Sequence, residues 1–168
     1  MNRIILNERD RCAEWARLRI GHVESWGEWC EAIGLERDGE LLAVVVFNLF
    51  SGADIAMHIA AVPGRRWMTR DFLRVAFRYP FVQLGCRRVT GYVPASNADA
   101  LRFDLHLGFQ REGLLREAMD TGEDVVVLGM LDREVQVFED ENLHALRDRH
   151  GDERNSGSGL VRVRRSCR

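Results

Sequence analysis

A helix fenced by two chemically explicit boundaries constrains this chain more than any other feature. Ser96 and Asn97 are both good N-cap residues, about ten helical residues follow, and Gly108 stands where a left-handed C′ residue belongs. Phe109, just past that glycine, can fold back onto Phe103 in the last turn. A strand pattern, Arg88–Val93, enters the helix through Pro94. Two more strand patterns follow it and flank the turn Asp120-Thr121-Gly122-Glu123. A strand, a bounded helix and a hairpin in that order belong to a sheet with helices packed against it.

Upstream, Asn2–Leu6 reads as a short first strand. Asn7 is a candidate cap for a helix from Glu8 to about Arg19, with Cys12, Trp15, Ala16 and Ile20 along one face. Gly21–Gly27, containing His22, Ser25 and Trp26, breaks periodicity and reads as a loop or short helical turn. Asp38-Gly39, between Glu31–Glu36 and Leu41–Phe50, is a strong hairpin signal. The Leu41–Leu49 run is too apolar for an edge strand and predicts a central place in the sheet. Ile55–Val62 alternates as another strand. After Pro63-Gly64 a helix is predicted from about Thr69 to Arg78, with Phe72, Val75, Ala76 and Tyr79 as its apolar stripe and Pro80 ending it. The order β-α-β-β-β-α-β-α-β-β describes an α/β fold, a single domain with a mixed central sheet flanked by helices.

Length and charge narrow the function classes. The 168 residues suit one core, and a net charge of −2 argues against wholesale affinity for nucleic acid or membrane. No apolar run reaches the length of a membrane span, and charges occupy the N-terminal residues where a signal peptide would be apolar, so a cytoplasmic protein is expected. Cys12, Cys30, Cys86 and Cys167 are scattered without metal spacing, so reduced thiols and no metal are expected. All 24 cationic side chains are arginine, which excludes Schiff-base and P-loop lysines. Residues 1–131 are expected to form the domain. Residues 132–153 form a charged extension that can be helical over Glu139–His150, and 154–168 a basic tail expected to be disordered.

The strand–Asn–helix–Leu-Gly-Phe–strand order of residues 88–130 resembles the C-terminal half of the GNAT superfamily of N-acetyltransferases. The phrase Leu107-Gly108-Phe109, Glu112-Gly113, Leu115-Arg116 is most similar to the branch acetylating protein N-termini and related amines. The resemblance implies a GNAT-like mixed sheet, acetyl-CoA as cosubstrate, and direct attack in a ternary complex by a primary amine, either a protein N-terminus or a small amine. It places the pyrophosphate of the cofactor on the Pro63–Thr69 loop, at a helix N-terminus that offers N–H donors and a favourable dipole. Arg65, Arg66, Trp67, Met68 and Thr69 are the expected contacts. With Arg66 as the first residue of the family's Arg/Gln-x-x-Gly-x-Gly/Ala pattern, Thr69 and Asp71 occupy the glycine and glycine/alanine positions. Arg65 and Arg66 are then expected to supply charge-assisted bonds instead. Residues 64–88 hold seven arginines and one acid.

Asn97 matches the asparagine that in the family contacts the cofactor arm or an active-site water, besides capping the helix. The oxyanion donor of the family is a backbone N–H in the strand before the loop, here near Ile59–Ala61, so Ile59 and Ala61 are expected contacts. Many members protonate the departing thiolate with a tyrosine seven residues after the asparagine. Position 104 is Asp104, ionised at neutral pH unless strongly desolvated. Tyr92 is the remaining nearby phenol, with a core position as its other reading. His58 is the candidate base, titrating near neutrality beside the expected thioester, and Glu31 is a second. Proximity alone can also supply much of the rate. Two competing readings are a catalytically inactive GNAT-fold binding module, favoured by the glycine-poor loop and Asp104, and a nucleic-acid binder using the Arg65–Arg88 patch and the tail. The latter lacks a recognisable nucleic-acid fold signature.

Overall fold

A computed structural model describes residues 1–135; the expected Glu139–His150 helix and the 154–168 tail lie outside the described residues. The elements are β1 (Asn2–Ile5), α1 (Arg9–Ile20), β2 (Glu31–Arg37), β3 (Glu40–Asn48), β4 (Ala56–Ala61), α2 (Arg70–Arg78), β5 (Arg88–Pro94), α3 (Ala98–Leu107), β6 (Gln110–Leu115) and β7 (Val125–Leu131). They form a seven-stranded sheet in the order β1-β2-β3-β4-β5-β7-β6. Every neighbouring pair is antiparallel except β4 and β5, which run parallel. This is the α/β architecture with a mixed sheet that the sequence predicts. No described helix is long and apolar enough to cross a membrane.

Asp38 (φ 53°) and Gly39 (φ 87°) both turn left-handed, the pairing that a two-residue hairpin demands between β2 and β3. The apolar run of β3 follows from burial on both faces. Ala43, Val45 and Phe47 point into the larger core, with Phe72, Ala76 and Phe77 of α2 and Leu101 and Leu107 of α3. Val44 and Val46 point the other way, into a second core under Cys12, Ala13 and Ala16 of α1. The predicted stripe of α1 faces this core, Cys12 and Ala16 buried and Trp15 and Ile20 packed at its edge, and Ala13 joins it; the Arg19 guanidinium lies 4.0 Å above the half-buried Trp15 ring. Asn7 does not cap this helix; Glu8 holds the N-cap position without a side-chain bond.

Small residues bring α1 close to the sheet. A Cβ on Gly34 of β2 would lie 2.8 Å from Cys12 Sγ and 3.0 Å from a Leu41 methyl. Gly34→Ala is expected to cost about 1–3 kcal/mol, the range for overpacking a tight core, and thermal melting checks it. An unchanged melting temperature would mean that α1 can ride higher on the sheet.

The α-helix α2 ends at Arg78, as expected, and a π-helical turn, Tyr79–Gln83, follows it across Pro80. Leu84 N–H bonds Tyr79 C=O across this wider turn, and Pro80, with no N–H to place in a ladder, sits at its start. Phe109 does not settle on Phe103. Its ring meets Phe77, 6.4 Å between centroids, while Phe103 meets Trp67. Described structure continues past β7. Asp132–Glu134 forms a short 3-10 turn, Glu134 accepts from Gln110 Nε2 at 3.1 Å, and Val135 packs on the larger core.

Candidate active site

The parallel junction of β4 and β5 is the most sparsely paired seam in the sheet; β2–β3 and β6–β7 each carry a single register shift, at Leu35/Glu36 and Arg111/Gly113, within otherwise continuous ladders. Register is recorded at a single pair, Ala56↔Thr90, although the strands run on to Ala61 and Pro94. Thr90 N–H donates to Ile55 C=O at 2.9 Å, so the backbone of Ile55 faces β5. Peptide groups alternate sides along a strand. Ile59 and Ala61 thus face the same way, beyond the last pair, with their N–H groups turned into the gap. On the other edge of β4 the ladder with β3 stays regular through Ala61.

The same register places His58 and Tyr92. Each lies two residues past the Ala56↔Thr90 pair, so they stand level across the gap on the α1 face of the sheet. Tyr92 is 37% exposed and is not a core residue. His58 is packed against the Trp26 ring at 5.1 Å, and its Nε2 lies 2.9 Å from Asn48 Oδ1. Burial, with a smaller contribution from His22, pushes its pKa down to about 4. The expectation that His58 titrates near neutrality is therefore corrected: desolvation penalises the imidazolium and keeps the ring neutral at pH 7. Glu31, at the start of β2, keeps its carboxylate near its own chain, Oε1 accepting from Ala32 N–H at 3.0 Å.

On the other face the gap is flanked by the starts of α2 and α3. Thr69 caps α2, its hydroxyl accepting from Phe72 N–H at 3.3 Å. Arg66 and Met68 are exposed at this helix mouth, and Asp71 lies exposed in its first turn. Arg65 turns away from it toward Glu40, 3.7 Å distant, and lines a groove of about 620 Å³ with Arg11 and Trp15 on the α1 side. Trp67 spans from the loop to α3, 5.2 Å from the Phe103 ring. Asn97 caps α3 by accepting from Ala100 N–H at 3.1 Å, leaving its amide NH₂ for another partner. Ser96 N–H donates to Glu123 at 2.6 Å, tying the start of α3 to the β6–β7 turn and holding the Glu123 carboxyl below its usual range.

Asp104, next to Phe103 on α3, is half-buried, and burial raises its pKa to about 7. Desolvation is thus strong enough to leave a large share of this carboxyl protonated at neutrality. Sequence reasoning missed it as a site residue because nothing local in the sequence signals that burial. Among the described residues no group of three or more His, Cys, Asp or Glu side chains is arranged to hold a metal.

No family model matches the chain, and no curated protein matches it in sequence. Solved structures do match it in shape. Spermidine/spermine N-acetyltransferase SpeG from Vibrio cholerae superposes with a TM-score of 0.62 at 16% identity, over 77% of this chain and 92% of that one. A dodecameric structure of spermidine N-acetyltransferase from the same organism gives 0.64 at 16% identity, over 77% and 93%. The fold is the GNAT fold. A protein described as a probable acetyltransferase adds a TM-score of 0.59 at 18% identity, over 79% of this chain and 94% of that one.

Within the GNAT fold, the residues singled out from the sequence fall into two groups. Ile59, Ala61, His58 and Tyr92 converge on the β4–β5 gap, with Asn97 at the head of the helix that follows β5. Arg66, Trp67, Met68 and Thr69 form the loop and helix mouth that follow β4. Arg65 alone is directed elsewhere, because Glu40 at the hairpin offers it a carboxylate. The grooves of about 510 and 620 Å³ beside α1 include neither His58, Tyr92 nor Asn97. The seam, with the backbone of Ile59 and Ala61 turned toward it and Asp104 on the helix that follows β5, is the place with chemistry to offer.

Proposed function

We propose that the protein transfers an acetyl group from acetyl-CoA to a primary amine by direct attack in a ternary complex. The observation that carries this reading is the β4–β5 gap, where the backbone of Ile59 and Ala61 faces inward and His58 and Tyr92 stand level on one face. Acetyl-CoA, when bound, supplies the thioester carbon that the amine attacks. The N–H groups of Ile59 and Ala61 donate to the carbonyl oxygen as it gains charge, which is where preorganised donors contribute most. The Asp104 carboxyl gives its proton to the departing sulfur, the part that a tyrosine plays in many GNAT enzymes, and the proton shed by the acylated nitrogen passes to solvent, from which Asp104 is reprotonated. Tyr92 and His58 border the amine's approach.

The helix mouth of α2 fits the cofactor's pyrophosphate. Thr69 already satisfies Phe72 N–H, while Arg66 at the exposed mouth adds a guanidinium that pairs with phosphate oxygens. For the acceptor, two features favour a small polycationic amine over a protein N-terminus. The spermidine enzymes share the fold, and the β6–β7 turn carries Glu117, Asp120, Glu123 and Asp124 against Arg116. A turn of that sign, tied to the head of α3 through the Ser96–Glu123 bond, draws cations by long-range attraction. The Leu107-Gly108-Phe109 phrase, which resembles the N-terminal branch, serves in this chain as the α3 stop and a core anchor.

Isothermal titration with acetyl-CoA tests the cofactor half of this reading. Arg66→Ala is expected to weaken binding by about 1–3 kcal/mol, the range for losing a charge-assisted bond, and Arg65→Ala to change it little. Equal losses from the two substitutions would show that Arg65 leaves Glu40 when the cofactor binds. No heat of binding at all would remove the enzyme reading and leave the inactive module.

A further inference from the structure

A chain of hydrogen bonds of fixed polarity ends on His58. Trp26 Nε1–H donates to Ala13 C=O of α1 at 2.9 Å, which fixes the Trp26 segment against the helix. Trp26 C=O can only accept, and it takes a bond from Asn48 Nδ2 at 3.2 Å. The amide of Asn48 is thereby oriented with its oxygen toward β4. An amide oxygen can only accept, so His58 Nε2, 2.9 Å away, must carry the hydrogen. A neutral imidazole has one hydrogen, which leaves Nδ1 a bare lone pair.

We propose that Asn48 is a positioning residue that fixes His58 as the Nε2–H tautomer and so presents Nδ1 as a hydrogen-bond acceptor to the incoming amine at the β4–β5 gap. The role given to the amine rests on the acetyltransferase reading above; the tautomer does not.

Three features support this assignment. Asn48 is a buried polar side chain, only 8% exposed, at the end of a strand that is aliphatic or aromatic from Leu41 to Phe47, and both ends of its amide are used. A residue needed only to fill that volume would be Leu or Val, because a buried amide contributes nothing to packing that an aliphatic side chain would not. Second, Nδ1 is not among the fully buried side-chain atoms left without a partner, where Arg74 Nε stands alone among the described residues, so it retains some exposure on the half-buried His58 ring. Third, the ring is clamped by the Trp26 indole, so the direction of the lone pair is set by packing as well as by the Asn48 bond. An acceptor held in this way orients an N–H of a neutral amine, which points the nitrogen lone pair toward the carbonyl. It does not need to take up a full proton, in keeping with a ring that stays uncharged in its buried setting.

Long-range ¹H–¹⁵N correlation spectra of the ¹⁵N-histidine-labelled full chain test the proposal, with His58→Gln used to assign the His58 signals. The wild-type spectrum at neutral pH is expected to show Nε2 protonated and Nδ1 bare, with no averaging between them. Nδ1 protonated, or both nitrogens averaged by exchange, would overturn it without any variant having to fold. In Asn48→Leu the two nitrogen shifts are expected to move toward each other as the tautomers exchange, and kcat for amine acetylation to fall about tenfold with KM for acetyl-CoA unchanged. Unchanged nitrogen shifts in that variant would also overturn it, because the clamp alone would then set the tautomer. A wild-type spectrum as expected from a protein that acetylates no amine would sink the acetyltransferase reading and leave the tautomer assignment standing.

Discussion

Asp104→Asn is expected to make the protein more stable above pH 7 and at the same time slower at acetyl transfer. Burial raises the folded-state pKa of Asp104 to about 7, from an ordinary value of 3.8. Folding therefore favours the protonated form. The associated stability is fully present below about pH 4 and is lost as pH rises through 7, where the folded state must hold a desolvated carboxylate. Asparagine keeps the shape and never ionises. At pH 8 the substitution should restore on the order of 2 kcal/mol after allowance for partial solvent screening, which is roughly 4–8 °C in melting temperature for a domain of this size. At pH 4 the two proteins should melt alike. Turnover should fall by about 10²- to 10⁴-fold, the range for removing a general acid. A variant that is stabilised but fully active would make Asp104 a buried liability and nothing more.

Phe77→Ala should be the most damaging single change to the fold. The Phe77 ring is completely buried and lies nearly parallel to Phe81, 6.3 Å apart and tilted 11°, while meeting Phe109 at the start of the final hairpin. It ties α2 both to the π-helical turn behind it and to the strands across the sheet. Removing it should cost about 3–5 kcal/mol, a large part of the total stability of a typical domain. Because α2 also presents the phosphate-binding mouth, acetyl-CoA affinity should fall with it. Urea unfolding gives the first number and titration calorimetry the second. A loss of under about 1 kcal/mol would mean that the neighbouring phenylalanines collapse into the space.

The parts of this fold that were legible in the sequence are those encoded by neighbours. Asn97 and Gly108 bound α3 because one side chain caps Ala100 N–H and one residue must go left-handed, both local requirements. Asp38-Gly39 and the doubly buried β3 are equally local, a turn signal and an unbroken apolar run. What could not be read locally depends on partners distant in the chain: Phe109 meets Phe77 of α2 and not Phe103. Arg65 and Arg66 are adjacent and chemically identical, and only the position of Glu40 on another strand separates them. Of the candidate site, the strand and the loop could be placed from the sequence. The protonation of His58 and Asp104 could not, because it depends on how much protein covers each group, and that is set by Trp26 and by the packing of α3.

The central claim is that the β4–β5 gap brings acetyl-CoA and a primary amine together for direct transfer. The most direct measurement incubates the full chain with acetyl-CoA and spermidine, or with a peptide bearing a free N-terminus, and follows the products by mass spectrometry while titrating released thiol. The account predicts mono-acetylated spermidine with one thiol released per acetyl group, a slower or absent reaction with the peptide, and loss of both signals in Asp104→Asn. Acetyl-CoA that binds but is never consumed in the presence of either amine would contradict it.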